Sequence, residues 1–84
     1  MDVNGKRARV RERLNGIFRD VFDNETIEVH DGMTARDVQG WDSLNHVTMI
    51  YAVEKGFGVS FTTKEVSSLA NVGDLVNLVV SKTS

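Results

Sequence analysis

Residues 43–58, SLNHVTMIYAVEKGFG, indicate a helical fold, because their apolar side chains recur with the period of an α-helix. Leu44, Val47 and Tyr51 are spaced i, i+3 and i+7, so they share one side of that helix. The sequence therefore predicts a helix from about Ser43 to Lys55, ending at the glycines just beyond it. A second apolar stripe lies on another side and contains His46, Met49, Ile50, Val53 and Phe57.

Two apolar stripes are more than a helix in a small bundle normally carries, and they allow two interpretations. In the first, this helix is the centre of the bundle and is buried on most sides. In the second, one stripe faces the core while Leu44, Val47 and Tyr51 face a partner or a ligand. Exposed apolar patches beside a polar rim often mark such surfaces.

The segment before this helix predicts one further helix and a long loop. Residues about 6–22 place Val10, Leu14, Ile17 and Val21 on one stripe, widened by two phenylalanines at 18 and 22. Residues 23–42 then contain isolated apolar residues and two glycines, which predicts a loop with a short turn near 34–38. We expect this loop and the segment 62–69 to be mobile, because both have few core residues.

The segment after the central helix predicts a short helix and a final one. Thr62 or Thr63 can cap a helix over residues 64–69, and Glu65 completes a capping box if Thr62 is the cap. Asn71 can cap the last helix, over residues 72–80, whose apolar stripe is Leu75, Leu78 and Val79, and Val72 and Val76 can pack on the neighbouring turns. The predicted fold is therefore all-α: a small bundle of three main helices and one short helix.

Size and composition limit the class of protein. The 84 residues suffice for a single domain, with a core over about 6–80. Charged residues make up 26% and hydrophobic residues 40%, which is a globular balance. No apolar run could span a bilayer, so we expect no membrane insertion and a cytoplasmic location. The absence of cysteine excludes disulfides and zinc-thiolate sites, so any thiol chemistry must come from an attached group.

The N-terminal region is basic, although the whole chain has a net charge of −2. Residues 1–20 contain six basic residues against three acidic ones, which would be compatible with nucleic-acid binding. The predicted central helix, however, contains no arginine that could contact bases, and the chain has a pI near 5.6. We therefore favour a solvated helix face and expect no nucleic-acid partner.

The tripeptide Asp42-Ser43-Leu44 lies where the long loop meets the central helix. A serine at that position has its hydroxyl beside the free backbone N–H groups of the first turn, where an attached phosphate would be favoured. The alternative interpretation is that Asp42 and Ser43 are only helix caps.

This tripeptide and the residues after it resemble the acyl carrier protein family. The resemblance includes the apolar pattern of Val47, Ile50 and Val53, the pair Phe57-Gly58, and the segments Val59-Ser60-Phe61, Glu65-Val66 with Leu69, and Val72-Gly73-Asp74-Leu75. It extends over residues from about 10 to 80. The tripeptide alone is a weak motif, whereas the tripeptide followed by this order is a strong one.

The resemblance implies a non-enzymatic carrier of acyl groups. Ser43 would carry 4′-phosphopantetheine, installed from coenzyme A by a magnesium-dependent phosphopantetheinyl transferase that Asp42 helps to recruit. The thiol of the arm would hold thioesters for acyl-loading and acyl-transfer enzymes of fatty-acid, polyketide or related synthesis. Leu44, Val47, Tyr51 and Glu54 would face partners, with Leu44 also beside the arm. Four residues would line the core or an acyl pocket, namely Met49, Ile50, Val53 and Phe57.

The sequence also departs from the family pattern. Members that serve primary fatty-acid synthesis usually have a strongly acidic second helix, which binds basic patches on partner enzymes. Here the corresponding positions include Asn45, Thr48, Lys55 and Gly56, and Glu54 is the sole acid. This favours a specialised, stand-alone carrier, and we expect a monomer because the exposed stripe is needed for changing partners. An aminoacyl or peptidyl carrier, or a helical interaction domain that uses the Leu44, Val47 and Tyr51 stripe, remains the alternative.

Catalysis and metal binding have little support in the sequence. Ser43 and His46 are spaced i, i+3, but Asp42 is adjacent to the serine and cannot easily orient the imidazole. No Gly-x-Ser-x-Gly elbow surrounds Ser43. His30 and Asp31 lack partners at metal-ligand spacing, so no metal site is predicted.

Overall fold

The computed structural model describes residues 3–83, which form four α-helices and one turn of 3₁₀ helix, with no strand in that range. The α-helices are α1 (Val3–Val21), α2 (Ser43–Phe57), α3 (Thr63–Ser67) and α4 (Val72–Thr83). The 3₁₀ helix, Ala35–Asp37, interrupts the loop between α1 and α2. The predicted all-α bundle is confirmed. Three helices are longer than predicted and α3 is shorter, which are differences typical of helix ends.

Helix α1 packs against α2 and α4 around one apolar core. Its buried line consists of Val10, Leu14 and Phe18, whereas Ile17 and Val21 are half-buried. The predicted stripe therefore lies on the buried side of the helix, but its centre was wrong, because Phe18 rather than Ile17 fills the interior. Helix α4 shows a similar shift. It buries its Val72, Leu75, Val76 and Val79, while Leu78 lies at the edge.

The long loop belongs to the core. Ile27, Val29, Met33 and Val38 are all buried, so the expectation that this loop has few core residues is wrong. The side chain of Asn15 accepts the N–H of Val29 at 2.7 Å, which fastens the loop to α1. The apolar residues that looked isolated in the sequence are spaced to enter the core from an irregular backbone.

The loop also supplies hydrogen-bond acceptors for the first N–H groups of α4. The first N–H groups of a helix have no partner within the helix. Here Val72 N donates to Met33 O at 2.8 Å, and Gly73 N donates to Asp31 O at 2.8 Å. The predicted cap is also confirmed, since Asp74 N donates to Asn71 Oδ1 at 2.9 Å.

The other helix ends carry their own caps. The predicted capping box of α3 is confirmed, with Thr62 N donating to Glu65 Oε1 and Glu65 N donating to Thr62 Oγ1. Gly58 ends α2 in the left-handed conformation, with φ 67°, which glycine adopts at no steric cost. None of the helices over residues 3–83 has both the length and the apolar character needed to cross a bilayer.

The arginines of α1 contact other parts of the chain. Arg7 and Arg11 both pair with Asp31 of the loop, at 2.8 and 3.5 Å. Arg13 donates to Gly56 O at 2.7 Å and lies over the ring of Phe57, and Arg19 donates to Ile27 O at 2.7 Å. These contacts give the basic residues of α1 a structural role.

Gly73 is buried where the loop crosses α4, and a substitution there tests how tightly the loop packs against this helix. A Cβ at this position would lie 2.9 Å from Asp31 O, a backbone atom that cannot move cheaply. We expect Gly73→Ala to destabilise the fold by about 1–3 kcal/mol in urea unfolding. Gly16→Ala is the matched control, since Gly16 lies in α1 with open space around it. It should stabilise by about 0.5–1 kcal/mol. Equal effects of the two substitutions would contradict this account.

Glu65 links the pH dependence of stability to α3. Its hydrogen bond from Thr62 N and its contact with Lys82 Nζ at 2.9 Å lower the pKa of Glu65 from the ordinary value of 4.5. Because the pKa of Glu65 is lower in the folded state, its ionised carboxylate stabilises the fold above about pH 4.5, and this stabilisation is lost as the pH falls through the folded-state pKa.

Glu65→Gln should therefore lower the urea midpoint at neutral pH, and its difference from the wild type should shrink as the pH falls below 4.5. Glu28→Gln is the control, because Glu28 is exposed and has no partner among residues 3–83. A difference for Glu65→Gln that is constant with pH would argue against the ionised contact.

Candidate cofactor-attachment site

Asp42 and Asn45 build the corner between the loop and α2. Asp42 is the N-cap of α2, and its Oδ1 accepts the N–H of Asn45 at 2.8 Å. The Asn45 side chain donates in turn to Gly40 O at 2.6 Å. Gly40 has φ 88°, so the chain reverses there in a conformation that other residues rarely adopt. The corner is held from both sides of the cap.

Ser43 is the first residue of α2 and is exposed. Its hydroxyl makes no hydrogen bond to any residue in the range 3–83, including His46. Because Asp42 supplies the cap, the alternative in which Ser43 caps the helix is wrong. The serine hydroxyl is left free at the positive end of the helix dipole.

Trp41, the residue before the N-cap, is anchored by aromatic packing and a hydrogen bond. Its indole ring meets Phe18 edge-on at 5.4 Å between centroids and lies 5.7 Å from Phe22. Its Nε1–H donates to His46 Nδ1 at 3.0 Å. A nitrogen that accepts a hydrogen bond cannot carry a proton, so His46 has its proton on Nε2. Trp41 therefore packs against the core at the end of the loop, and His46 is half-buried beside it.

Two hollows meet at this Trp41–His46 pair. A shallow groove beside Ser43 is lined by Ala35, Trp41, Asp42, Ser43, His46 and Val47. A cavity of about 90 Å³ lies deeper and shares Ala35, Trp41 and His46 with the groove. Its other lining residues are mainly apolar: Met49, Leu69, Ala70, Asn71, Val72 and Leu75. The serine therefore stands beside a surface depression that shares part of its wall with this smaller, more enclosed cavity.

The two stripes of α2 face opposite environments. Met49, Ile50 and Val53 are at most 7% exposed. The opposite residues are exposed, with Leu44 at 75%, Val47 at 65% and Tyr51 at 63%. The interpretation in which α2 is buried on most sides is therefore wrong. We call the exposed set Leu44, Val47 and Tyr51 the outer face of α2.

The remaining predicted site residues are placed as follows. Of the four proposed pocket residues, Met49 lines the cavity. Ile50 borders a groove between α2 and α3, Val53 is fully buried, and Phe57 is half-buried beneath Arg13. Glu54 is half-buried, and its Oε2 accepts the N–H of Phe61 at 2.8 Å. Residues 3–83 contain no group of three or more histidine, cysteine or acidic residues that could hold a metal ion.

The cavity lining is the part of the site that the sequence reasoning missed. Ala35 and residues 69–72 come from a turn and from the α3–α4 junction. Irregular segments have no periodicity, so the sequence pattern could not predict that these residues line a cavity. The Asn45–Gly40 bond was also missed.

Comparison with known proteins decides the family. No protein-family model matches the chain. An acyl carrier protein of Clostridium acetobutylicum is 30% identical over 74 residues, which cover 88% of this chain and 96% of that protein. The chain belongs to the acyl carrier protein family. The solution NMR structure of a holo acyl carrier protein from Geobacter metallireducens matches with a TM-score of 0.82 and 38% identity, over 87% of this chain and 84% of that one.

Membership settles the class of function. Acyl carrier proteins are non-enzymatic and carry a phosphopantetheine prosthetic group. The residues around Ser43 fit such a group. The hydroxyl is exposed and unpaired, the N–H groups of Ser43 and Leu44 precede the first intrahelical bond, and the adjoining groove is largely apolar. The imported thiol is the only one in a chain that has no cysteine.

Stability measurements can separate the structural role of Asp42 from that of Ser43. Asp42→Ala removes the oxygen that accepts Asn45 N–H and should cost about 1 kcal/mol in urea unfolding. Asp42→Asn keeps a capping oxygen and should retain most of the stability. Ser43→Ala should change stability by less than about 0.5 kcal/mol, because the hydroxyl has no partner within residues 3–83. A larger loss for Ser43→Ala than for Asp42→Ala would reverse the assignment.

Proposed function

We propose that Ser43 carries the 4′-phosphopantetheine arm through a phosphodiester bond to its Oγ. The observation that carries this proposal is the free, exposed hydroxyl at the first position of α2, beside a groove. The capping of α2 by Asp42 leaves Ser43 with no structural task that modification would disturb. Asp42 also presents a carboxylate next to the serine, and we propose that it assists the transferase and its magnesium.

We propose that the cargo is an acyl group rather than an aminoacyl group. The cavity behind Trp41 and His46 is lined mainly by apolar side chains, including Met49 and Leu75, which suit a hydrocarbon chain. Its volume of about 90 Å³ is smaller than the roughly 150 Å³ of a cavity that holds benzene. A longer chain would require the neighbouring segment 69–72 to move outward. Together with Ile50, Val53 and Phe57, Met49 forms the apolar side of α2 toward which such a chain would extend.

We propose fatty-acid, polyketide or related secondary-product synthesis as the setting, with a dedicated pathway favoured by the sparse acidity of α2. The partners would be a phosphopantetheinyl transferase and acyl-loading and acyl-transfer enzymes that dock on the outer face. Leu44 lies one residue after Ser43, so a partner bound there would also meet the arm. We propose that the protein functions in the cytoplasm, where coenzyme A supplies the arm.

The attachment is tested by intact-mass measurement. The purified protein is incubated with coenzyme A, magnesium and a broad-specificity phosphopantetheinyl transferase. We expect the wild type to gain one phosphopantetheinyl group and Ser43→Ala to gain none.

Ser67→Ala is the matched control, because Ser67 is another exposed helical serine without a side-chain partner within residues 3–83. It should gain the group as the wild type does. An unmodified wild type with a native circular dichroism spectrum, or a modified Ser43→Ala, would refute the assignment of Ser43.

A further inference from the structure

This inference rests on the proposed docking of partner enzymes on the outer face of α2, and it concerns the chemistry of those partners. We propose that this face selects an apolar surface flanked by carboxylates, with Lys55 and Lys64 as the carrier's charged contacts. The sign is opposite to that of a carrier with an acidic second helix. The preferred charge of a partner depends on which charged groups near the outer face are free to bind it.

Lys55 extends the line of the outer face. It lies four residues after Tyr51 and eleven after Leu44, so it follows them along the same side of α2. It is exposed and has no ion pair or hydrogen bond within residues 3–83. The apolar outer face therefore ends in an unpaired cation.

Lys64 provides a second free cation across a groove. Val47 borders a depression between α2 and α3 whose far side includes Thr63, the first residue of α3. Lys64 follows Thr63, is exposed, and likewise has no partner in the described part of the chain. Glu54 lines this depression and Lys64 does not, so a partner that covers Val47 would come near Lys64 by extending beyond the depression over the first turn of α3.

The carboxylates of the same region are already engaged with the backbone. Asp42 accepts Asn45 N–H at 2.8 Å, and Glu54 accepts Phe61 N–H at 2.8 Å. Glu65 accepts Thr62 N–H at 2.8 Å and also pairs with Lys82 at 2.9 Å. All of the acidic residues from 42 to 65 thus hold part of the fold in place.

This asymmetry decides which partner charge is favoured. A partner lysine or arginine would meet carboxylates that each already have one oxygen hydrogen-bonded to a backbone N–H. A partner carboxylate would pair with Lys55 or Lys64 without breaking any contact in the carrier. Exposed ion pairs add little affinity, so the apolar residues supply most of the binding and the lysines supply the selection.

Two synthetic peptides test the proposal directly. Both are amphipathic helices with the same leucine-rich apolar face and the same length, and they differ only in flanking residues, which are glutamate in one and lysine in the other. Each is titrated into ¹⁵N-labelled protein while the amide shifts of residues 43–67 are followed. At low ionic strength we expect the glutamate-flanked peptide to bind roughly two- to fivefold more tightly, with the difference reduced by salt.

Variants assign the preference to residues. Lys55→Gln combined with Lys64→Gln should abolish the difference between the peptides while leaving the binding of the lysine-flanked peptide unchanged or stronger. Arg9→Gln is the control, since Arg9 is an exposed cation on α1 and should leave the preference intact. Leu44→Ala combined with Val47→Ala should weaken both peptides.

The outcomes are distinguishable. Equal binding of the two peptides, preference for the lysine-flanked peptide, or a preference that survives the double lysine substitution would overturn the proposed charge selection. Failure of both peptides to shift the amides of residues 43–67 would overturn docking on this face as well. The mass assay on Ser43 is independent of all these results, so loss of the charge selection would leave the attachment of the arm standing.

Discussion

The structure depends on how the long loop between α1 and α2 meets the start of α4. Carbonyl groups of Asp31 and Met33 accept the N–H groups of Gly73 and Val72, so an irregular segment satisfies donors that a helix end leaves unpaired. The Asp31 side chain simultaneously pairs with Arg7 of α1. One short stretch of loop thereby joins the first and last helices. It also fixes the point from which the chain runs to the corner at Gly40 and the start of α2.

At the corner that this loop leads to, different residues cap α2, fasten the backbone and pack against the core. Asp42 caps the helix, Asn45 fastens Gly40, and Trp41 packs on Phe18 while its indole N–H is bonded to His46. Each polar group that the corner needs is supplied by a neighbour of Ser43. The serine can therefore be modified without loss of a structural contact. A free hydroxyl in a fixed position is what an attached carrier arm requires.

The sequence predicted regular elements well and irregular ones poorly. The two stripes of α2, the capping box at Thr62 and Glu65, and the Asn71 cap could be predicted because each depends on spacing along a single helix. The loop was misjudged as poor in core residues, since Ile27, Val29, Met33 and Val38 have no common period. The cavity had no signal in the sequence for the same reason, because much of its lining comes from turns. Likewise, the bond of Glu54 to Phe61 N–H could not be predicted, because it depends on where the chain returns after Gly58.

The two sides of α2 are not independent features. Burial of Met49, Ile50 and Val53 fixes the rotation of this helix about its axis, and the same rotation directs Leu44, Val47 and Tyr51 outward. It also turns Glu54 toward α3, where the carboxylate bonds to the backbone, and places Lys55 in line with the outer face. A change in core packing would therefore move the apolar contacts and the charges together. The core that stabilises the bundle thus also determines which surface the carrier presents beside Ser43.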